Sequence, residues 1–356
     1  TGVKIKGPSL VQDFFCTVNI DQDWSGTVGS NGTIKLKKTP SKSTSKNFQQ
    51  NQLIEQELFI SRFNSIVEDM GQLLKRTAIS TNIKERFDFS CALLDLDGQL
   101  VVNAPHIPVH LGALGLCVRS VISIKKIRPG DMIITNHPGH GGSHLPDITL
   151  ISPVFDNNDL LIGYIANRAH HAELGGISPG SMPTRAKSLS EEGIVIPPTF
   201  LYQANKPQFD EIKKILNSSS WPTRCLEDNI ADIKAQVAAN LLGIRTLQRM
   251  ASLYGTPKII NQIKKLRFRA SIAITRCIKS LNPGQFFTKE KLDDGSELIA
   301  KIVVEKDKIK FDFNGTSPPH IGNLNATPAI VQSAIIYVLR LLVNESIPLN
   351  EGLLDC

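Results

Sequence analysis

The sequence predicts an α+β fold with more than one packed unit. Hairpin signals with glycine in the turn are interspersed with long amphipathic helices, and no regular β–α–β alternation joins them. At 356 residues the chain exceeds the size that one hydrophobic core usually organises. Hydrophobic residues form 41% and charged residues 21% of the chain, which is ordinary globular usage and excludes a disordered protein.

The N-terminal elements are short. Alternating runs interrupted by glycine fill residues 1–38, and a Ser-Asn-Gly turn at 30–32 predicts a β-hairpin. Residues 39–54 are rich in Lys, Ser, Thr and Asn. This composition predicts a linker, because such a segment cannot bury enough apolar area to become ordered. Apolar residues then recur every three or four positions over 55–79, which predicts an amphipathic helix.

The remaining elements follow from the same two periods. A hairpin is predicted around Asp97-Gly98, because glycine tolerates the positive φ that a tight turn demands. Strands are predicted at 89–94, 100–103, 132–135, 148–155 and 160–166, and a last hairpin at 297–313. Helical spacing predicts helices at 228–242, 257–281 and 329–343.

Charge, cysteine usage and hydropathy exclude several classes of protein. The net charge is +7, but residues 1–50 with seven Lys and three Asp carry +4 of it, so the rest is too dilute for a nucleic-acid stripe. The six cysteines form no CxxC pair, which favours a reducing, cytoplasmic setting. The most apolar stretch, 329–343, is shorter than the roughly 20 residues that cross a bilayer, so no membrane partner is predicted.

Histidine is concentrated in one part of the chain: seven of the eight lie between residues 106 and 171. His144 and Asp147 share a glycine-rich loop, and the two predicted strands after it can return His170 or His171 beside them. Two imidazoles and one carboxylate bind a divalent metal and leave positions open for water or substrate. The sequence therefore predicts a metal site, with the alternative that these histidines cap strand ends or fill polar gaps.

Other polar residues are weaker candidates. Asp228 and Asp232 lie one helical turn apart at a predicted helix N-terminus, so they either bind substrate or cap the helix. The Thr316 hydroxyl, in a turn after a strand, can bind a substrate carboxylate or only stabilise the turn. His106 and His110 have Pro108 between them, which argues against one helical face, and they stay outside the predicted metal set.

Five segments are specific enough to indicate a family. They are 76–92, 103–112, 141–147, 168–183 and 228–240. On these segments the chain resembles the hydantoinase B and oxoprolinase family, in which an ATPase half, the A half, precedes the B half. Residues 1–38 resemble the end of the A half, and 55–356 a B domain truncated at its C-terminus.

The resemblance implies an activity and its partners. It implies ATP-dependent hydrolysis of the lactam of 5-oxo-L-proline to L-glutamate, because phosphorylation of the amide oxygen supplies a leaving group. ATP would be bound by the missing A half, which is the implied protein partner, so the chain alone is expected to be inactive. A homo-oligomer is also expected. The alternatives are an N-methylhydantoinase, an acetone or acetophenone carboxylase-type subunit, and a non-catalytic interaction module.

Site residues are implied by the same resemblance. In acetone carboxylase, a relative of the family, the B-like subunit holds a metal through a His-x-x-Asp pair and a later His. The corresponding metal ligands in this chain are His144, Asp147 and His170. The metal would acidify a bound water or polarise the phosphorylated lactam. The implied catalytic residues are His171, Glu173 and Arg168, of which the first two would carry protons.

Overall fold

The chain forms two compact units that mix antiparallel sheets with helices. A computed structural model describes residues 2–12, 17–38, 45–104, 107–110, 112–345, 347 and 349–356. The units are Thr1–Glu57 and Leu58–Cys356. The α+β class predicted from the sequence is confirmed.

The first unit contains two small sheets. Its strands are β1 (Lys4–Lys6), β2 (Ser9–Gln12), β3 (Thr17–Ile20), β4 (Trp24–Val28) and β5 (Ile34–Lys38). They pair antiparallel in the orders β1-β4-β5 and β2-β3, and the β4–β5 hairpin confirms the turn predicted at 30–32.

The long helix α1 (Ser45–Thr77) begins earlier than the sequence predicts. Residues 39–44 of the predicted linker lie outside the described residues, but 45–54 are helical and correct that prediction. The polar composition of this stretch argues only against burial in a core. A helix satisfies its backbone hydrogen bonds internally, so a polar stretch can still extend one that packs further along.

Seven strands of the second unit form its main sheet. They are β6 (Phe89–Leu94), β7 (Leu100–Asn103), β8 (Met132–Thr135), β9 (Asp147–Phe155), β10 (Leu161–His170), β11 (Thr199–Gln203) and β12 (Lys206–Pro207). The order is β12-β11-β8-β9-β10-β6-β7, and every neighbouring pair is antiparallel. The β6–β7 hairpin turns at Gly98 with φ 73°, as the Asp97-Gly98 pair predicts. A separate sheet contains β13 (Gly284–Lys291), β14 (Glu297–Val304) and β15 (Ile309–Asp312).

Helices cover both faces of the main sheet. The helices after α1 are α2 (Thr81–Lys84), α3 (Ala113–Ile124), α4 (Leu189–Glu192), α5 (Phe209–Asn217), α6 (Leu226–Tyr254), α7 (Thr256–Ser280) and α8 (Pro328–Leu342). Helix α3 shares a hydrophobic cluster with one face of the sheet, and α1, α5, α6 and α7 share clusters with the other. The predicted helices correspond to α1, α6, α7 and α8, whereas α3 and α5 were missed. No helix in the described part of the chain is long and apolar enough to cross a membrane.

Alternation along β8 shows how the layers form. Ile133 belongs to the same hydrophobic cluster as Val118 of α3, whereas its neighbour Ile134 belongs to the cluster that contains Ile212 of α5 and Ile233 of α6. All five side chains are buried, and burying each contributes about 1.5–3 kcal/mol. Because both faces are covered, the central strands β9 and β10 are buried along nearly their whole length rather than on alternate residues. The loop at 136–146, which contains three histidines and is called the histidine loop below, leads into the start of β9 in the middle of this sheet, next to the end of β10.

Candidate metal centre

His144, Asp147 and His170 meet where two central strands end. β9 begins at Asp147 and β10 ends at His170, and the antiparallel register places these two residues opposite each other. The backbone N–H of Asp147 donates to the carbonyl of His144 at 3.1 Å, so a tight turn brings His144 back over the start of the strand. Strand pairing therefore brings together side chains that are far apart in sequence.

The three candidate ligand atoms form a small triangle. Nε2 of His144 lies 3.1 Å from Nδ1 of His170 and 3.3 Å from Oδ1 of Asp147, and the third side is 3.6 Å. An ion about 2.0–2.2 Å from each ligand separates the ligand atoms by about 3.3–3.6 Å in tetrahedral geometry and by about 2.8–3.1 Å in octahedral geometry. The triangle therefore has the size that one divalent cation requires.

The two oxygens of the Asp147 carboxylate differ sharply. Oδ2 accepts hydrogen bonds from the Ser143 hydroxyl and from Nε2 of His110, the latter at 3.1 Å. Oδ1 is completely buried, and among the described residues none donates a hydrogen bond to it. A buried carboxylate oxygen without a partner is costly. Oδ1 is also the oxygen in the triangle, so a cation there would satisfy it.

Exposure is graded across the three ligands. The side chain of Asp147 is 0% exposed, that of His170 11% and that of His144 35%. A cation held here would be enclosed on the Asp147 side and reachable from solvent on the His144 side. Such an arrangement leaves coordination positions for water or substrate, as catalytic rather than closed structural sites do.

The protonation states suit metal binding. Burial lowers the pKa of the His170 imidazole, and the carboxylates of Asp147 and Asp88 oppose this only in part. Burial by itself would raise the pKa of Asp147, but His110 first, and then His144 and Arg168, outweigh it and hold that pKa well below its usual range. Metal ligands must be deprotonated, and these shifts favour that state in both residues.

His110 is a site residue that the sequence analysis left out. It ends a short 3-10 helix, Pro108–His110, and it is buried. Its Nε2 contacts Asp147, and its Nδ1 lies 3.0 Å from the Ser90 hydroxyl. Because an ionised carboxylate can only accept, Nε2 carries a proton, and in a neutral ring Nδ1 would then accept from Ser90. The hydrogen bonds from Ser90 through His110 orient the Asp147 carboxylate, as outer partners of metal ligands commonly do.

Position in the family segments was the available signal for His110 and Ser90. His110 lies in the segment 103–112 and Ser90 in the segment 76–92, both of which carry the resemblance. The proline argument excluded only a helical pair and not a contact between distant loops. His106, the other member of that pair, lies outside the described residues.

A second group of candidate ligands overlaps the first. Asp88, His110 and Asp147 also place ligand atoms within 4.8 Å of one another. Oδ2 of Asp147 already holds two hydrogen bonds, whereas the unpartnered Oδ1 faces His144 and His170, so the first group is the better candidate. Oδ2 of Asp88 lies 3.5 Å from Nδ1 of His170 at a partly exposed position, where it can add a further ligand.

The catalytic role expected of Arg168 stays a prediction, and its contacts in the structure are with a strand and a loop next to the site. It is fully buried, and its guanidinium donates to the Thr149 hydroxyl at 2.8 Å and to the carbonyl of Gly141 at 2.7 Å. Gly141 has φ 78°, and a Cβ there would lie 2.5 Å from the backbone nitrogen of Cys117. Arg168 thus holds the histidine loop from beneath while Gly141 lets the loop approach α3.

Both carboxylate oxygens of Glu173 accept hydrogen bonds. One oxygen accepts from the Arg224 guanidinium at 2.7 Å and from the Gly175 backbone at 2.6 Å. The other accepts from the Thr223 hydroxyl at 2.8 Å and from the backbone of Arg224 at 2.7 Å. A carboxylate with four donors ties its loop to the start of α6, and the proton transfer expected of Glu173 stays a prediction.

His170 and His171 point in opposite directions. His170 faces Asp147, whereas the fully buried His171 faces α6, where its Nε2 lies 3.0 Å from Oε1 of Gln236. Burial lowers the pKa of His171. Of the two candidates that the sequence left open, His170 is therefore the one in the ligand triangle.

The predicted substrate-binding residues lie in three different settings. Asp228 is exposed in the first turn of α6. Asp232 is buried and accepts hydrogen bonds from the backbone of Ile79 at 2.7 Å and of Ser80 at 3.3 Å, so it ties the end of α1 and the start of α2 to α6. The Thr316 hydroxyl bonds both backbone groups of Ile299. Asp232 and Thr316 thus have structural partners, which supports the alternative given for each.

Comparison with known proteins identifies the family. The sequence profile described as hydantoinase B/oxoprolinase matches residues 52–356. The chain belongs to the hydantoinase B/oxoprolinase family. Within this family it is 40% identical to 5-oxoprolinase 1 of Arabidopsis thaliana over 381 residues, covering 99% of the chain and 30% of that protein. It is also 40% identical to 5-oxoprolinase of Saccharomyces cerevisiae over 370 residues, covering 99% and 29%. The chain thus spans about a third or less of the length of these relatives.

Solved structures share the fold of this family member. ATP-dependent caprolactamase from Pseudomonas jessenii matches with a TM-score of 0.78 at 24% identity, over 85% of this chain and 53% of that one. A nucleotide-free acetone carboxylase matches with a TM-score of 0.73 at 18% identity, over 86% and 43%. At these identities the likeness concerns the fold alone.

Proposed function

We propose that this chain is the hydrolytic part of an ATP-dependent 5-oxoprolinase, which converts 5-oxo-L-proline and water to L-glutamate with hydrolysis of ATP to ADP and phosphate. Two relatives named as 5-oxoprolinases are 40% identical over 99% of the chain. The observation that carries the proposal is the buried, unpartnered Oδ1 of Asp147, which faces two imidazole nitrogens, one of them on the 35% exposed side chain of His144.

His144, Asp147 and His170 would hold a divalent cation in this proposal. When bound, the cation would polarise the substrate carbonyl and lower the pKa of a water. His110 and Ser143 hold the other oxygen of Asp147 and fix the direction of the carboxylate. His144, the most exposed of the three, forms the rim through which substrate enters. Asp88, 3.5 Å from His170 and partly exposed, is placed to accept a proton on this rim or to add a ligand.

ATP would be bound elsewhere in the complete protein. In this proposal residues 1–38 close a hydantoinase A-like ATPase half that phosphorylates the lactam oxygen, and 55–356 belong to the B half that hydrolyses the product. Since the chain spans 30% or less of these relatives, we expect no turnover by the chain alone. A cytoplasmic location and a homo-oligomer remain predictions from the sequence.

The test uses the complete enzyme that contains this chain. We expect ATP hydrolysis to depend on 5-oxo-L-proline and on an added divalent metal, with glutamate formed in equal amount. N-methylhydantoin, caprolactam and acetone serve as matched substrates. ATP hydrolysis stimulated by one of these but not by 5-oxo-L-proline would replace the proposed substrate. Stimulation by none of the four would favour a non-catalytic interaction module.

A further inference from the structure

A network of buried amide side chains leads from the sheet to His171. Its members are Asn167 on β10 and Gln236 and Asn240 on α6. All three are fully buried, and each forms a hydrogen bond with another member of the network. Gln236 also contacts Nε2 of His171 at 3.0 Å. None of these amides is part of the ligand triangle, so their role is not explained by the proposed site alone.

Backbone carbonyls fix the polarity of this network, that is, which end of each side-chain amide is the nitrogen and which the oxygen. The Gln236 amide nitrogen lies 2.9 Å from the carbonyl of Ile148, and the Asn167 amide nitrogen lies 2.8 Å from the carbonyl of Gln236. A carbonyl can only accept, so neither amide can be turned over without placing two acceptors against each other. The nitrogen of Gln236 also donates to Oδ1 of Asn167 at 2.8 Å, which occupies both of its hydrogens.

The fixed polarity determines which nitrogen of His171 carries a proton. Because Oε1 of Gln236 can only accept, the neutral ring must carry its hydrogen on Nε2. Nδ1 is then left with a lone pair, and no group in the described part of the chain meets this buried atom in good hydrogen-bond geometry, although the Asn229 side chain favours the charged ring. An imidazole between α6 and the sheet is thus held in one orientation and one tautomer.

The ring of His171 is coupled through the backbone to both sides of the ligand triangle. Its backbone N–H donates to the carbonyl of Pro146 at 2.9 Å, one residue before Asp147. Its other backbone neighbour is His170. Anchoring this ring on α6 therefore sets the separation of the two strand ends that carry Asp147 and His170.

We propose that Gln236 is a positioning residue that locks His171 as the Nε2–H tautomer and thereby holds Asp147 and His170 at metal-binding distance. The metal-affinity part of this inference rests on the proposed function, whereas the tautomer part does not. Gln236 acts through His171 and the two strand ends, and it is not a ligand itself.

The first test is nitrogen NMR of the chain labelled with 15N-histidine, because the pattern of ring-proton couplings distinguishes the two neutral tautomers. His171, assigned through His171→Gln, should show only the Nε2–H form in the unsubstituted chain. Gln236→Met, which keeps the length but removes the amide, should give a mixture of tautomers. A dominant Nδ1–H form in the unsubstituted chain would overturn the inference without any substitution.

The second test is titration with Zn²⁺ and Mn²⁺ by calorimetry. Gln236→Met should weaken the affinity for the metal that binds more tightly about 10- to 100-fold, as loss of an outer partner of a ligand does. Asn240→Leu is the matched control: it breaks the same buried network, but Gln236 keeps its bond to Ile148 and so keeps His171 in place. We expect that control to retain the tautomer and to bind metal within about twofold.

The outcomes separate this inference from the proposed function. Metal binding by the unsubstituted chain with unchanged affinity in Gln236→Met overturns the positioning role and leaves the metal centre standing. Equal loss of affinity in Asn240→Leu also overturns it, because general damage to the network would then be the cause. Absence of metal binding in the unsubstituted chain contradicts the proposed metal centre and, with it, the role assigned to Gln236, even if the tautomer is as expected.

Discussion

Two buried carboxylates in the second unit have opposite surroundings. Glu351 accepts hydrogen bonds from the backbone of Leu100 at 2.7 Å, from both terminal nitrogens of Arg119 at 2.7 and 2.9 Å, and from Gln332 at 2.6 Å. Asp147 is equally buried, yet its Oδ1 has no donor among the described residues. A carboxylate whose two oxygens are saturated holds elements of the fold together, whereas one with a free oxygen beside two imidazoles is arranged for a cation.

Removing the Asp147 carboxylate, whose Oδ1 has no donor among the described residues, should have the largest effect on metal binding. In Asp147→Asn the negative charge that offsets the cation is lost, so we expect stoichiometric binding to disappear. Metal content after dialysis, measured by mass spectrometry, checks this against the unsubstituted chain. Full metal content in Asp147→Asn would remove this residue from the site.

Removing the Glu351 carboxylate, both of whose oxygens accept hydrogen bonds, should lower the stability and leave metal binding unchanged. Glu351→Ala leaves the donors of Leu100, Arg119 and Gln332 without an acceptor, and breaking a buried ion pair costs about 3–5 kcal/mol. The side chain of Arg119 is 31% exposed, so we expect a value near the lower limit. Urea denaturation gives the free energy of unfolding, and metal content gives the control. Unchanged stability with lost metal would reverse the comparison.

Glu173 offers a sharper case, because the family resemblance makes it catalytic and its contacts make it structural. We expect Glu173→Gln to lower the free energy of unfolding by about 1–3 kcal/mol, since the amide presents N–H groups to donors. Activity per folded molecule of the complete enzyme should stay within about twofold, in contrast to loss of a general acid or base, which costs about 100-fold or more. A large loss of kcat at unchanged stability would restore the catalytic role.

The pH dependence of stability should be the smallest of these effects. Burial lowers the pKa of His171, so near pH 6 the unfolded chain binds a proton that the folded chain does not. The free energy of unfolding of the metal-free chain should therefore fall as pH decreases below about 6.5, by up to about 1.4 kcal/mol per pH unit. We expect a shallower slope in His171→Gln than in the matched control His320→Gln. Stability that rises on acidification would contradict this sign.

The backbone of the site was largely predictable from the sequence. The apolar runs before and after the turn at 156–160 predicted the two strands β9 and β10, and their pairing brings Asp147 opposite His170. The choice between His170 and His171 was not predictable, because strand alternation assigns them to opposite faces and both faces of this sheet are covered by helices. Both residues are histidines, so residue type did not distinguish His170, a candidate metal ligand, from His171, which forms a buried hydrogen bond with Gln236.

The surroundings of the predicted catalytic residues could not be derived from the sequence. The family segments identified Arg168 and Glu173 as notable residues, but a segment does not reveal how many donors or acceptors surround a side chain. Saturation of Glu173 depends on Thr223 and Arg224, which are about 50 residues away. The contact between His110 and Asp147 likewise joins two loops that the chain brings together only on folding.

X-ray absorption spectroscopy of the metal-loaded protein tests the metal centre most directly. The account predicts about two imidazole nitrogens and at least one carboxylate oxygen at about 2.0–2.2 Å from the metal, with the imidazole contribution reduced in His144→Ala. A spectrum without imidazole scattering, or one that His144→Ala leaves unchanged, would contradict it.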